Sequence, residues 1–230
     1  MQQTTNSDER AWAELDQELA QVTDILQEIA GELDEPLNQL VVSQIRRASP
    51  HRRAGVVLAF GAGEQDDDPQ RMRRISLAAA LEMLYIAQRV HHLLLQQQTE
   101  AMDKSLMGSI ILAGDFCFSR AADLAVRTEN PDIVQVFSDA LKRLSENNLR
   151  TLFDQDTQQM QRDGELLVSG IEAALLLAAS APDPATTAAS AQAWAAFLAA
   201  DAPAQPPADL ARVNPQQAAR IRGLIRAEQS

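Results

Sequence analysis

Gly108-Ser-Ile-Ile-Leu-Ala-Gly-Asp-Phe-Cys-Phe-Ser-Arg-Ala121 sits inside an apolar segment that runs from Lys104 to Arg127 and is closed by Thr128-Glu-Asn-Pro131. The segment reads as one helix, and the sequence on both sides of it reads the same way. Downstream, Asp132 to Asp154 carries Ile133, Val136, Phe137, Leu141 and Leu144 at helical spacing, and Gln155 to Arg162 is polar, either a loop or a helix junction. Leu166 to Ala179 is apolar almost all round, which predicts a central, fully buried helix. Ala181-Pro-Asp-Pro184 caps an Ala-rich helix containing Trp194 and Phe197. Ala202-Pro-Ala-Gln-Pro-Pro207 reads as an extended linker, after which Asn214-Pro215 opens a short terminal helix.

Upstream, a long helix runs from Pro69 to about Ala101, introduced by Asp66-Asp67-Asp68-Pro69. An Asp ahead of a Pro at the first helical position has the form of an N-cap. Three consecutive carboxylates cannot all face one ion in a regular structure, so the cap is preferred to a metal site. Before it, Arg53 to Ala62 reads as a helix stopped by Gly61-Ala-Gly63, Ser49-Pro50 as a break, and Leu37 to Ala48 as a further helix. Trp12, Leu15, Leu19, Val22, Leu26, Ile29 and Leu33 recur at steps of three and four, an amphipathic helix that ends near Gly31 to Pro36. Its single seam is expected to pack on the body of its own domain. Strand signals are absent throughout. The expectation is an all-α helical bundle: one domain over residues 1–201, then a Pro/Ala/Gln-rich linker and short terminal helix over 202–230, taken as peripheral.

Composition bounds what such a bundle does. The 230 residues hold 20 Lys and Arg against 32 Asp and Glu, a formal charge of -12 and a pI near 4.6, which argues against a nucleic-acid partner. Hydrophobic residues at 46% and charged residues at 23% are those of a folding chain, and a chain of this length needs no disulfide or metal to hold its core. One cysteine, Cys117, excludes an intrachain disulfide framework and a Cys-based metal site. With no signal peptide visible and no apolar run of the roughly 20 residues a membrane span requires, a cytoplasmic location is expected.

Two stretches carry a resemblance. Leu77-Ala-Ala-Ala-Leu-Glu-Met-Leu-Tyr-Ile-Ala-Gln-Arg-Val-His91 is similar to the helix that leads into the first Asp-rich motif of the trans-type isoprenyl diphosphate synthases, the polyprenyl synthetase family. Gly108 to Ala121 resembles that family's Ala-Ile-Leu-Ala-Gly-Asp helix, in the same order and at the same spacing. With flanking helices the resemblance covers roughly Arg53 to Ala179 and implies an isoprenoid-synthase-like helical bundle with a central cavity, usually paired as a dimer. It also implies a chemistry, ionisation of an allylic diphosphate and attack by isopentenyl diphosphate, with magnesium held by two Asp-rich motifs.

This chain departs from the family where that chemistry resides. The first Asp-rich motif falls on His92-Leu-Leu-Leu-Gln96, so His92, Leu93 and Gln96 stand at the degenerate carboxylate positions. The second falls near Phe197 to Gln205, where Asp201 alone remains and Pro203 interrupts the helix. The family's basic acceptor stretch falls on Ala48-Ser-Pro-His51-Arg52-Arg53-Ala54, with only Arg53 matched. The later Arg-Arg pair has no counterpart in Gln97 to Lys104, and a Lys-Thr pair is replaced by Ile171-Glu172. Loss of both metal clamps and the acceptor site removes the electrostatic stabilisation of that reaction. The expectation is therefore a non-catalytic relative with no catalytic residue, no metal and no cofactor.

Several candidates remain. Arg46, Arg47, His51, Arg52 and Arg53 form the densest basic cluster and are candidates for a diphosphate, against the alternative of solvated arginines paired with carboxylates. His91 and His92 cannot chelate one ion, since helix neighbours point about 100° apart. Asp115, flanked by Leu112, Phe116 and Phe118, is expected to be a structural acid that needs a partner. The partners expected are a second copy or an active prenyl diphosphate synthase. The alternatives are an isoprenoid-binding module, or a residual prenyltransferase that binds magnesium through Asp115, Glu82 and Asp201.

Overall fold

The seam from Trp12 to Ile29 becomes the inward face of α1 (Gln2–Ala30) in the computed structural model, with Leu15, Leu19, Val22 and Leu26 almost fully buried. The structure describes residues 2–48, 50–63, 66–96, 104–154, 159–178, 184–199, 207 and 213–228. Eight further helices follow among these: α2 (Leu37–Arg47), α3 (Pro50–Phe60), α4 (Asp68–Gln96), α5 (Lys104–Val126), α6 (Pro131–Asp154), α7 (Gln159–Leu177), α8 (Pro184–Ala199) and α9 (Pro215–Glu228). No strand occurs among the described residues. The chain has the all-α architecture read from its periodicity.

Local chemistry sets the helix starts. Asp67 Oδ1 accepts the Gln70 N–H at 2.9 Å, so the Asp-Asp-Asp-Pro run does cap α4. Asn130 Oδ1 accepts the Asp132 N–H at 3.0 Å at the start of α6. Asn214 and Gln217 exchange two bonds, Gln217 N–H to Asn214 Oδ1 at 2.8 Å and Asn214 N–H to Gln217 Oε1 at 2.9 Å, a reciprocal cap that starts α9. Prolines 50, 131, 184 and 215 each begin a helix, where a missing N–H costs nothing.

α4 is the helix buried all round. Every residue from Arg74 to Gln88 is buried, because α1, α3, α5 and α7 surround it and Ala78-Ala79-Ala80 lets them approach. The sequence assigned that place to Leu166–Ala179; α7 is instead buried on most of its circumference, with Val168 and Glu172 half-buried. Gly170 of α7 meets α3 and α4 so closely that an added Cβ would lie 2.5 Å from Leu81 Cδ2 and 3.2 Å from Val57 Cγ2. α8 is anchored by Trp194, edge-on to Phe60 of α3 at 5.1 Å and to Phe197 at 5.7 Å.

The terminal helix corrects the reading of a peripheral tail. α9 lies between α1 and α3 with Gln217, Arg220, Ile221 and Leu224 buried. It supplies donors to the carbonyls at the end of α3, which a helix terminus leaves without partners of its own. Gln217 Nε2 donates to Phe60 O, Arg220 Nη1 to Leu58 O at 3.2 Å and Asn214 Nδ2 to Ala62 O at 2.7 Å. The Ala, Pro and Gln content of the tail concealed this, since much of its seat is made of polar bonds beside Ile221 and Leu224. The linker Ala202–Pro206 and residues 208–212 lie outside the described residues. No helix among the described residues is long and apolar enough to cross a membrane.

Candidate functional site

The last two turns of α4 carry the positions where the resemblance expects carboxylates. His92, Leu93 and Leu94 are half-buried there, the two leucines packed against the core; the side chains of Leu95 and Gln96 lie outside the described residues. His91 turns towards α5 and rests on Gly114. A Cβ at Gly114 would lie 2.2 Å from His91 Nε2, so only glycine lets the imidazole lie over this helix. The ring stands 5.1 Å from the Phe118 ring, and Nε2 is 3.4 Å from both Ile111 O and Asp115 Oδ1. The Leu-Ala-Gly-Asp stretch thus acts here as a helix-packing element. Asp115 has that histidine beside it but is 63% exposed, so water rather than a buried partner accounts for its tolerance.

Deeper in the bundle, α3 and α4 are locked by charge. Glu82 is fully buried; its Oε2 accepts from Arg53 Nη2 at 3.0 Å and Nε at 3.3 Å, and its Oε1 from the Ala54 N–H at 3.1 Å. The Arg53 guanidinium also lies 3.4 Å over the Tyr85 ring. Arg89 continues the chain, donating to Tyr85 Oη and to Gln44 Oε1, each at 3.2 Å. Both Glu82 oxygens are therefore engaged within the protein.

The four arginines of the basic cluster point in different directions. Arg46 and Arg47 are exposed in the last turn of α2, where a cation offsets the helix dipole. Arg52 is exposed and bonds the Leu198 carbonyl of α8, whereas Arg53, next in sequence, points into the core. The His51 side chain lies outside the described residues, as do Asp201 and the segment from Gln97 to Asp103.

Sequence reasoning missed the larger charged centre. Glu18 on α1, 2% exposed, bonds Arg74 of α4 at 2.7 Å and Arg220 of α9 at 2.8 Å, with Arg71 at 3.6 Å. Asp66 lies 2.6 Å from Arg74, and Glu14 3.7 Å from Arg220. Burial opposes the charge on Arg74, but the bonds to Asp66 and Glu18 more than offset it and raise its pKa. The signal was present, since Glu18 falls three residues after Leu15 and four before Val22, on the apolar seam itself. A carboxylate there requires partners. At the rim, Asp8 is held by Arg222 at 2.8 Å and Arg226 at 2.9 Å. The bond from Arg222 lowers the Asp8 pKa, against burial, with Arg226 adding to it.

Two other groups are perturbed by burial. The Cys117 thiol is pushed up to about 12 by desolvation, which makes it a packing residue rather than a nucleophile at neutral pH. Burial raises the Glu172 carboxyl, with Arg143 pulling it down and Asp139 raising it further. Among the described residues no group of three His, Cys, Asp or Glu is arranged to hold a metal ion.

No family model matches the chain, and no curated protein matches it. Solved structures do. The geranylgeranyl pyrophosphate synthase from Lactobacillus brevis superposes with a TM-score of 0.64 at 16% identity, covering 81% of this chain and 60% of that one. Its citrate complex gives 0.65 at 15% identity, covering 96% and 86%. The geranylgeranyl pyrophosphate synthetase from Pyrococcus horikoshii gives 0.61 at 20% identity, covering 81% and 62%. The chain therefore spans about three fifths of the length of the first and third of these. At such identities the likeness is one of fold, and the chain has the all-α isoprenoid-synthase fold.

Proposed function

We propose that this chain uses the isoprenoid-synthase fold without its chemistry, as a dimeric interaction or regulatory subunit in isoprenoid biosynthesis that pairs with itself or with an active prenyl diphosphate synthase. The observation that carries the reading is the end of α4. Magnesium takes oxygen ligands, and the first two carboxylate positions hold an imidazole and an alkyl chain, His92 and Leu93, half-buried and, for Leu93, packed on the core. That donor set does not fit the metal. Ionising a diphosphate requires positive charge held where negative charge develops, and no such arrangement is built from these side chains.

Two alternatives are weighed against it. A prenyltransferase with unusual ligands could draw on Asp115, Glu82 and Asp201, for example, and of these Glu82 has both oxygens bonded to Arg53 and Ala54. An isoprenoid-binding module would need space between α3, α4 and α7, and at Gly170 those helices leave no room for a methyl group.

The test is incubation of the purified protein with isopentenyl and farnesyl diphosphates, with and without magnesium, followed by product analysis and calorimetric titration. No turnover and no magnesium-dependent binding is expected. Magnesium-dependent elongation overturns the non-catalytic reading, and tight binding of farnesyl diphosphate without turnover favours the isoprenoid-binding alternative.

A further inference from the structure

α9 is held to the bundle more by charge and polar bonds than by apolar surface. Among its described residues it buries three apolar side chains, Ala219, Ile221 and Leu224. Against these stand the donations from Asn214, Gln217 and Arg220 to carbonyls at the end of α3, the bonds from Arg220 to Glu18, and those from Arg222 and Arg226 to Asp8. The charges are lopsided in the same sense. α1 carries seven carboxylates and one arginine, and α9 three arginines and one glutamate, so a basic helix closes on an acidic one.

Withdrawing α9 strands no buried charge. Glu18 keeps Arg74 at 2.7 Å and Arg71 at 3.6 Å, and Arg74 keeps Asp66 at 2.6 Å. The groups that lose a partner are the carbonyls of Leu58, Phe60 and Ala62, Asp8, and the arginines of α9 itself. All of them line the groove that α9 vacates, where water replaces the lost bond. A buried ion left dry would forbid the opening. What the opening costs is apolar, since Ile221 and Leu224 return to water and Trp12 and Gly55 are bared. The fit there is close: a Cβ at Gly223 would lie 3.1 Å from Trp12 Cε3, and one at Gly55 2.9 Å from Leu224 Cδ1. α8 ends at Ala199 and α9 begins at Pro215. The chain between them can reach about 50 Å when extended, so α9 can leave its groove and stay attached.

We infer that α9 is an electrostatic strap: it leaves the groove between α1 and α3 as a unit while the rest of the bundle stays folded, and the Asp8 clasp makes the opening sensitive to ionic strength. Arg222 and Arg226 are 42% and 59% exposed, so salt screens their attraction to Asp8, whereas the buried Glu18–Arg220 pair is screened less. The inference does not draw on the function proposed above. The experiment is hydrogen–deuterium exchange of the full chain, read by mass spectrometry at neutral pH in low salt and in roughly 0.5 M sodium chloride. Amides from Ala218 to Leu224 are expected to exchange together, at least about tenfold faster than those of residues 74–88 in α4, because a unit that opens on its own does so more often than the whole fold. Salt is expected to speed α9 by roughly threefold to tenfold and to leave α4 unchanged. Asp8→Asn is expected to reach the high-salt rate already in low salt and to respond little to added salt, and the double variant R222Q/R226Q to do the same. Exchange of Ala218 to Leu224 at the rate of α4 overturns the inference, since α9 would then open only with the whole bundle. Faster exchange confined to residues beyond Leu224 overturns it as fraying, and a fast α9 indifferent to salt and to Asp8→Asn overturns the electrostatic clasp.

Discussion

At the N-terminal end of α4, Arg74 is completely buried and its guanidinium is held by Glu18 and Asp66. Eighteen and nineteen residues further along the same helix, His92 and Leu93 stand where the resemblance expects carboxylates. One end keeps charge in the interior by satisfying it from α1, α9 and the loop before α4. The other holds half-buried His92 and Leu93, with Leu93 packed on the core. The difference separates two ways of filling the interior of one helix. Charge that organises the fold is retained with every partner in place, because a buried ion missing its partner costs more than the pair contributes. Where no ion is buried, as at Leu93, packing alone sets what a substitution costs.

That comparison is most sharply tested at Glu18. Glu18→Gln leaves Arg74 and Arg220 buried beside a neutral amide, and a loss of about 3 to 5 kcal/mol is expected in urea unfolding. A loss below about 1 kcal/mol would remove the distinction between the two ends. The next largest effect is at the seam of α4 and α5. Gly114→Ala drives a methyl group into the His91 ring and is expected to destabilise by about 1 to 3 kcal/mol. Adding His91→Ala is expected to recover part of that loss, a coupling that a double-mutant cycle in denaturant reads directly.

Asp8 sharpens the comparison at lower amplitude, since Arg222 and Arg226 are partly exposed and such pairs contribute below about 1 kcal/mol. Its folded pKa lies below the ordinary 3.8. The stabilisation is therefore present above that value and is lost as pH falls through the lower, folded one. Asp8→Asn is expected to flatten the acid limb of the stability curve while leaving the dependence above pH 5 unchanged, as thermal melts across pH measure. Smallest is the response of Cys117. With its thiol pushed up to about 12 and no exposed surface, native protein at pH 8 is expected to resist iodoacetamide, and unfolded protein to react at the ordinary rate of a free thiol.

How much of this the sequence discloses depends on how local each cause is. Helix starts at Asp67, Asn130 and Asn214 are decided within four residues, so their caps can be read directly or follow from the residue type. The bundle class follows from periodicity alone. The direction of Arg53 does not, because Arg52 and Arg53 are identical as residues and only the neighbouring helices decide which faces Glu82 and which faces α8. The seat of α9 was hidden for the same reason: its partners, Leu58, Phe60 and Ala62, are backbone carbonyls and carry no side-chain signature. Glu18 was legible in principle, as a carboxylate on an apolar seam, whereas its partner Arg220 lies 202 positions away. At the candidate site His92, Leu93 and Gln96 are plain in the sequence, but the bed that Gly114 makes for His91 is a property of two helices meeting.

The clasp between the first and last helices also sets a clock. A ribosome adding about 5 to 20 residues per second produces Arg220 roughly 10 to 40 s after Glu18. Until Arg220 is made, Glu18 and Arg74 lack their third partner, and the end of α3 waits for the donors that cap it. The charged centre that joins α1, α4 and α9 therefore closes only after Arg220 has been made.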